Sequence, residues 1–435
     1  MPFTFSPWPF LPSQRRAPDK EKRWWDECFL SELLERVWDS NSHWHVIYGA
    51  RGSGKSLALA ALKRRAENIS LILDYPARHL PGAPQSLLRG NNLTQIMALA
   101  SLELRRLLTA QPRHLVQLAS DSRVFVRWLI QKFGGERAYA IWLSSLPSDS
   151  AAALRDVAYQ DLYATDTHPE HIHGQIQELV SLIQQLGYQQ VLVVLDVEIN
   201  LNDEQRKSLR ELFSEFDIHH PRFLVIAAVP EDLIRNAALM TAPHPRVNFV
   251  RLTWTTEQCR RIADRHIHAA TDGALETMQA LAEPTLLDTL EQMILQEFQE
   301  PVPRGAVDLA RLLLHAGASR TSRLHDGHLT DLRQKYFAEN MPLILDITAK
   351  RRGVWRGPRF IELDEQPYNL LRFLWEREDH ATSIDDQELL ALATSKQNVQ
   401  MLVHRLRERI EPDIKHPIYL KSRRNQGYWL ENTAA

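Results

Sequence analysis

The sequence predicts an α/β protein: a parallel sheet with helices on its faces, then a helical segment, then a small domain of helices and short strands. Three observations carry this. An apolar run, Trp44 to Tyr48, leads into Gly49–Ala50–Arg51–Gly52–Ser53–Gly54–Lys55–Ser56 and on into helix formers from Leu57 to Ala66. A second continuous apolar run, Val191 to Leu195, ends on Asp196. After residue 340 the long helical pattern gives way to short strands flanking helices.

The first stretch reads as strand, glycine-rich loop, helix, and it fits G-x-x-x-x-G-K-[ST], the phosphate-binding P-loop. Its glycines let the backbone bend where a Cβ would clash, so successive N–H groups point at phosphate oxygens. The loop also opens a helix, whose unpaired donors and dipole favour an anion. Nucleotide contacts are therefore expected from Gly49 through Leu57. Lys55 is the residue to reach the β- and γ-phosphates, and the Ser56 hydroxyl the one to ligate Mg²⁺. A chance match is the competing reading, and the flanking strand and helix weigh against it.

Bulk properties bound the rest. At 435 residues the chain is expected to form two or three domains. The composition is ordinary for a globular protein, 44% hydrophobic and 24% charged. The formal net charge of −2 excludes a polycation, so any nucleic-acid contact must come from a local patch. Cys28 and Cys259 lie far apart, with no metal-ligand spacing around either, and read as packed thiols. The proline-broken N-terminus lacks the sections of a signal peptide, and no apolar run approaches the roughly 20 residues of a membrane helix. A cytoplasmic protein without membrane partners is expected.

Along the chain, residues 1–20 read as an arm that Phe3, Phe5, Trp8 and Phe10 can pin to the body. Apolar spacing predicts a helix from Arg23 to Trp38. Ser70 to Tyr75 reads as a buried strand, 76–92 as a Pro- and Gly-rich loop, and Leu93 to about Val180 as mostly helical. His171 and His173 invite a metal reading, but they are not spaced for one helical face, and a polar loop is the preferred reading. Gln190 to Asp196 has the pattern of a central parallel strand ending in a carboxylate. Asn202 to Phe216 then reads as a helix, Arg222 to Val229 and Asn248 to Leu252 as two further strands.

This order resembles the AAA+ group of P-loop ATPases, and the resemblance implies roles. Asp196 takes the Walker B position and would hold the Mg²⁺ shell. Many members carry a glutamate next, to orient the attacking water; here that place is Val197. Glu198 is the next acid, and alternate residues of a strand share a face, so it is the candidate base if the strand continues. The departure argues for slow hydrolysis. The strand ending Ala227–Ala228–Val229–Pro230 offers no polar residue for the sensor 1 place. Arg246 sits where initiator-type members put an arginine that reaches a neighbouring subunit's nucleotide, with Arg235 as the competitor. Trp24 or Trp25 would wall the adenine pocket, or else pack in the core. From Thr255 to about Asn340 the helical pattern resembles the lid of such proteins. There Arg304, in Pro303–Arg304–Gly305–Ala306, matches the sensor 2 arginine; a helix-start arginine paired to a surface acid is the plainer reading.

In the last segment, SKQNVQMLVHRLRERIEP and YLKSRRNQGYWL resemble the recognition helix and wing of winged-helix output domains in two-component response regulators. Val399, Leu402, Leu406 and Ile410 form the expected buried stripe. Lys396, Gln397, Gln400, His404 and Arg407 fall mostly on the other faces and become candidate major-groove contacts. Arg423 and Arg424 at the wing tip suit a minor groove or phosphates. The expected division is an N-terminal arm and helix (1–40), an ATPase domain (41–252), a helical lid (253–338) and a winged helix (339–435). The module order resembles origin-recognition initiators and STAND switch ATPases. It implies an ATP- and Mg²⁺-dependent, slowly hydrolysing ATPase switch, a homo-oligomer when ATP is bound, with double-stranded DNA as partner. The alternative is a signal-sensing ATPase whose winged helix binds a protein.

Overall fold

The apolar run 191–195 lies inside a five-stranded parallel sheet in the computed structural model. The structure describes residues 3–12, 15–30, 34–35, 44–80, 91–160, 162–163, 169–197, 201–214, 220–236, 247–346, 352–377, 381–393, 395–423 and 426–431. Its chain divides into two compact units. One comprises Leu30–Gly49 and Gly54–Leu252; the other comprises Met1–Phe29, Ala50–Ser53 and Thr253–Ala435.

In the sheet unit the strands are β1 (Trp44–Gly49), β2 (Ser70–Asp74), β3 (Gln190–Asp196), β4 (Phe223–Pro230) and β5 (Val247–Arg251). Their order is β2-β3-β4-β1-β5, and every pair is parallel. Burial on both faces explains why β3 and β4 read as unbroken apolar runs rather than alternating ones. The strand β4 separates β1 from β3. Gly49 pairs with Pro230 on one side of β4 and Asp196 with Ala228 on the other, so the glycine loop and the acid leave the same sheet edge. Two strand spacings separate them, about 10 Å.

Helices cover this sheet. The loop helix α2 (Lys55–Ala66) is joined by α3 (Asn92–Ala110), α4 (Arg113–Gln117), α5 (Ser120–Gly134), α6 (Glu136–Ser144), α7 (Ser148–Arg155), α8 (Pro169–Gln185), α9 (Asp203–Ser214) and α10 (Glu231–Asn236). A buried polar knot anchors the inserted helices. Tyr75 donates to Asn92 Oδ1 at 2.8 Å, and Asn92 Nδ2 donates to the Ser208 carbonyl at 2.8 Å. His171 and His173 lie in α8, not in a loop; Pro169 at the first helical position starts the helix. Among the described residues no three His, Cys, Asp or Glu side chains are grouped to hold a metal.

The other unit begins with the arm. Phe3 N donates to the Ala318 carbonyl, Ser6 N donates to the Ala270 carbonyl, and Phe5 meets His315 edge-on. Helix α1 spans Pro18–Glu27, so the helix expected over Arg23–Trp38 starts earlier and is interrupted at Cys28; Leu34 and Glu35 are helical, and 31–33 and 36–38 lie outside the described residues. Pro18 takes the first position of α1 and Asp19 and Glu21 its first turn. Trp24 packs edge-on against Trp25 and His266, with Arg16 over its ring, so it is a core residue. Four helices follow: α11 (Thr256–Ala270), α12 (Pro284–Phe298), α13 (Pro303–Gly317) and α14 (Leu329–Asn340). Thr255 and Gln258 form a capping box at the start of α11.

The C-terminal elements are β6 (Leu343–Asp346), β7 (Gly353–Arg356), β8 (Arg359–Glu362), α15 (Glu365–Trp375), α16 (Gln387–Ala393), α17 (Lys396–Ile410), β9 (Leu420–Arg423) and β10 (Gly427–Leu430). The first three strands make an antiparallel sheet, and β9 and β10 a hairpin. Gly427 has φ +95°, and a Cβ there would stand 1.8 Å from the Thr382 carbonyl oxygen, so only glycine lets the wing pair with Thr382.

One hydrophobic core runs from the four helices into these elements, from Ile267 and Leu313 through Phe337 and Leu371 to Leu406. Arg356 lies at its centre. It is 4% exposed, makes two hydrogen bonds to Glu297 of α12 at 2.6 and 3.0 Å, and donates to the Ile410 carbonyl at 2.8 Å. Tyr419 also donates to the Met341 carbonyl at 2.6 Å, and Arg333 pairs with Asp413. Cys28 and Cys259 are both buried, and burial pushes each thiol up to about 12. No described helix is long and apolar enough to cross a membrane.

Candidate nucleotide site and winged helix

The loop after β1 has the backbone its sequence requires. Gly52 and Gly54 have φ of +85° and +94°, values that L side chains rarely adopt. Gly54 is the N-cap of α2, so the twelve-residue helix begins at Lys55. Nothing lies within 4 Å of where a Gly54 Cβ would stand, which leaves space before the helix N-terminus. Ser53 Oγ is buried and finds no hydrogen-bond partner among the described residues. Open space, a helix start and an orphaned hydroxyl fit a phosphate group. Lys55 Nζ donates to the Gly49 carbonyl at 2.9 Å, folding its ammonium across the loop. Ser56 is exposed on the first turn, and Leu57 is half-buried behind it.

Asp196 ends β3 and is exposed, while Val197 turns into the core and donates its N–H to the Ala228 carbonyl. Asp196 and Ser56 offer the oxygen ligands that Mg²⁺ prefers. Glu198, Arg246 and Arg424 lie outside the described residues, as does the Arg235 side chain. The end of β4 is apolar and buried from Ala227 through Pro230.

The loop tip, Ala50–Ser53, belongs to the second unit, and two of its residues meet partners there. Arg304, in the first turn of α13, donates its backbone N–H to the Gly52 carbonyl at 3.3 Å. Its exposed guanidinium lies 3.7 Å from Asp308. Burial pushes the Asp308 carboxyl up, against the opposing pull of Arg304. Arg51 donates to the Gly357 carbonyl at 3.0 Å, in the turn between β7 and β8.

Among the C-terminal elements, Lys396, Gln397, Gln400 and His404 are exposed along α17. Lys396 pairs with Asp385, and His404 lies 3.5 Å from Glu408. Arg407 is half-buried. Its guanidinium donates twice to the Leu420 carbonyl, at 2.8 and 3.0 Å, and to Ser422 Oγ at 2.9 Å, so this candidate groove contact is bonded to β9. Arg423 is exposed at the hairpin. Met401 is 48% exposed on α17, outside the buried stripe. Val403, by contrast, joins the buried stripe.

No family model and no curated protein matches the chain. Among solved structures it is similar to Thermotoga maritima RuvB, described as a Holliday junction branch migration motor, at 13% identity and a TM-score of 0.27, over 95% of this chain and 92% of that one. It is similar also to a single-residue mutant of the same Thermotoga maritima protein, at 13% identity and a TM-score of 0.30, over 95% of this chain and 94% of that one. These values describe a distant likeness.

Proposed function

We propose that this chain is an ATP-binding, slowly hydrolysing switch whose nucleotide state and self-assembly control double-stranded DNA binding by the C-terminal winged helix. The observation that carries it is the buried Arg356–Glu297 pair. It joins α12, the helix before the one that bears Arg304, to the β7–β8 hairpin and the end of the recognition helix. The backbone from Gly49 to Leu57, with Lys55, would hold the phosphates. Ser56 and Asp196 would hold Mg²⁺, which when bound neutralises phosphate charge. Arg304 would sense the γ-phosphate, and Arg246 would complete a neighbour's site. Val197 in place of an acid supports slow turnover. Lys396, Gln397, Gln400, His404, Arg423 and Arg424 would meet DNA. Arg407 would set the angle between recognition helix and wing. The four-segment division of the chain, with a lid at 253–338, belongs to the same reading.

A second reading keeps the nucleotide switch but gives the winged helix a protein partner. The exposed Val116 and Ile141 on the inserted helices α4 and α6, with Met401 on α17, favour it. Calorimetric titration with Mg-ATP tests the shared part. Wild-type chain should bind, and Lys55→Ala should bind at least about tenfold more weakly. Equal binding by the two would end the nucleotide reading.

A further inference from the structure

We propose that Arg51 is a phosphate-sensing residue of the loop that holds the Gly357 carbonyl and exchanges it for a phosphate oxygen when nucleotide binds. The proposal rests on the nucleotide reading above and names how that site is read out. Arg51 stands four residues before Lys55 in the loop. Its Nη1 donates to the Gly357 carbonyl at 3.0 Å, and among the described residues it forms no ion pair with a carboxylate. Arg304, which follows the loop tip through its bond to Gly52, brings a second cation close. Arg51 is solvent-accessible, and partial desolvation and then the Arg304 charge both weigh against its charged form. An anion at the loop relieves that repulsion. A guanidinium bond to a charged oxygen is also roughly twice as strong as one to a neutral acceptor, so phosphate outcompetes the carbonyl.

The acceptor is placed to pass the change on. Gly357 has φ +54°, and a Cβ there would stand 2.3 Å from Met341 Sδ, so glycine is needed to set this carbonyl in the turn. Its own N–H donates to the Pro342 carbonyl at 3.0 Å. The preceding residue is Arg356, which grips Glu297 and the carbonyl of Ile410, the last residue of the recognition helix. Release of the turn therefore acts one residue away from the contact that fixes the end of α17. Arg51 is a positioning residue for DNA binding, not a catalytic one.

Hydrogen exchange across 353–362, measured on the full chain with and without saturating Mg-ATPγS, tests this, with calorimetry on the same samples. In the wild type, nucleotide should speed exchange in this segment about tenfold. Arg51→Lys, which still donates to either acceptor, should keep the response. Arg51→Gln should bind nucleotide about tenfold more weakly, and at saturation its hairpin exchange should not change. Wild-type binding without a change in the hairpin, or an unaltered response in Arg51→Gln, would overturn the proposal alone. Failure of the wild type to bind nucleotide would overturn it together with the functional reading.

Discussion

The sheet unit and the C-terminal unit carry their chemistry in different ways. Around the sheet, the candidate residues are neighbours in sequence or follow the ends of strands in one sheet: Lys55 and Ser56 open the loop helix after β1, and Asp196 closes β3. Local pattern is enough to place them. In the C-terminal unit, the contacts join different elements, across 7 to 59 residues. Arg356 reaches back to Glu297, Arg407 reaches forward to the wing, and Glu411 accepts the N–H groups of Ile418, Tyr419 and Leu420. In the proposed function the first unit binds and the second transmits.

If that contrast is right, removing a transmitting residue costs stability and removing a binding residue does not. Glu297→Ala should destabilise the unit by about 3–5 kcal/mol, because it leaves the Arg356 guanidinium buried without its carboxylate. Lys55→Ala should stay within about 0.5 kcal/mol of wild type. Urea titrations followed by circular dichroism compare the two, and similar midpoints would erase the distinction. Glu411→Ala comes next. It strands three buried N–H groups, and a loss of about 3 kcal/mol is expected in the same titration, with faster exchange at Ile418, Tyr419 and Leu420.

His266 sharpens the contrast by pH. It is fully enclosed by α11, Phe10 and Trp24, with Arg16 nearby, and Nδ1 bonds the Ile262 carbonyl. Burial lowers its pKa from 6.5 to about 4. The unfolded chain takes a proton that the folded one refuses. Stability from this group is therefore present above pH 6.5 and is lost as pH falls toward 4, by up to about 3 kcal/mol. His266→Phe should flatten that part of the stability profile. The smallest effects belong to the exposed cations. Lys396→Ala and Arg423→Ala should each weaken DNA binding several-fold and reduce its salt slope by about one, in fluorescence anisotropy at several salt concentrations. Arg407→Ala should instead raise exchange in β9.

What could be read from the sequence follows the same line. The strands β2, β3 and β4, the glycine loop and the buried stripe of α17 rest on local periodicity and turn chemistry. The start of the first helix was placed late and its break at Cys28 was missed because apolar spacing runs on from Trp24, whereas Pro18 and the acids after it mark the start. His171 and His173 looked like loop residues because the eye followed ligand spacing rather than the helix-starting Pro169. Arg407 looked like a groove contact because helical position shows a face but not which carbonyl folds back over it. Nothing local signals that Arg356 and Glu297 meet, since 59 residues separate them.

The central claim is that nucleotide state governs DNA binding through the joined helices and winged helix. Its most direct test is the affinity of the full chain for a duplex DNA in Mg-ATPγS and in Mg-ADP, with sedimentation recorded in both. The account predicts at least about fivefold tighter binding and a larger particle with Mg-ATPγS, and no difference in Lys55→Ala. Equal affinity and equal sedimentation in the two nucleotides would contradict it.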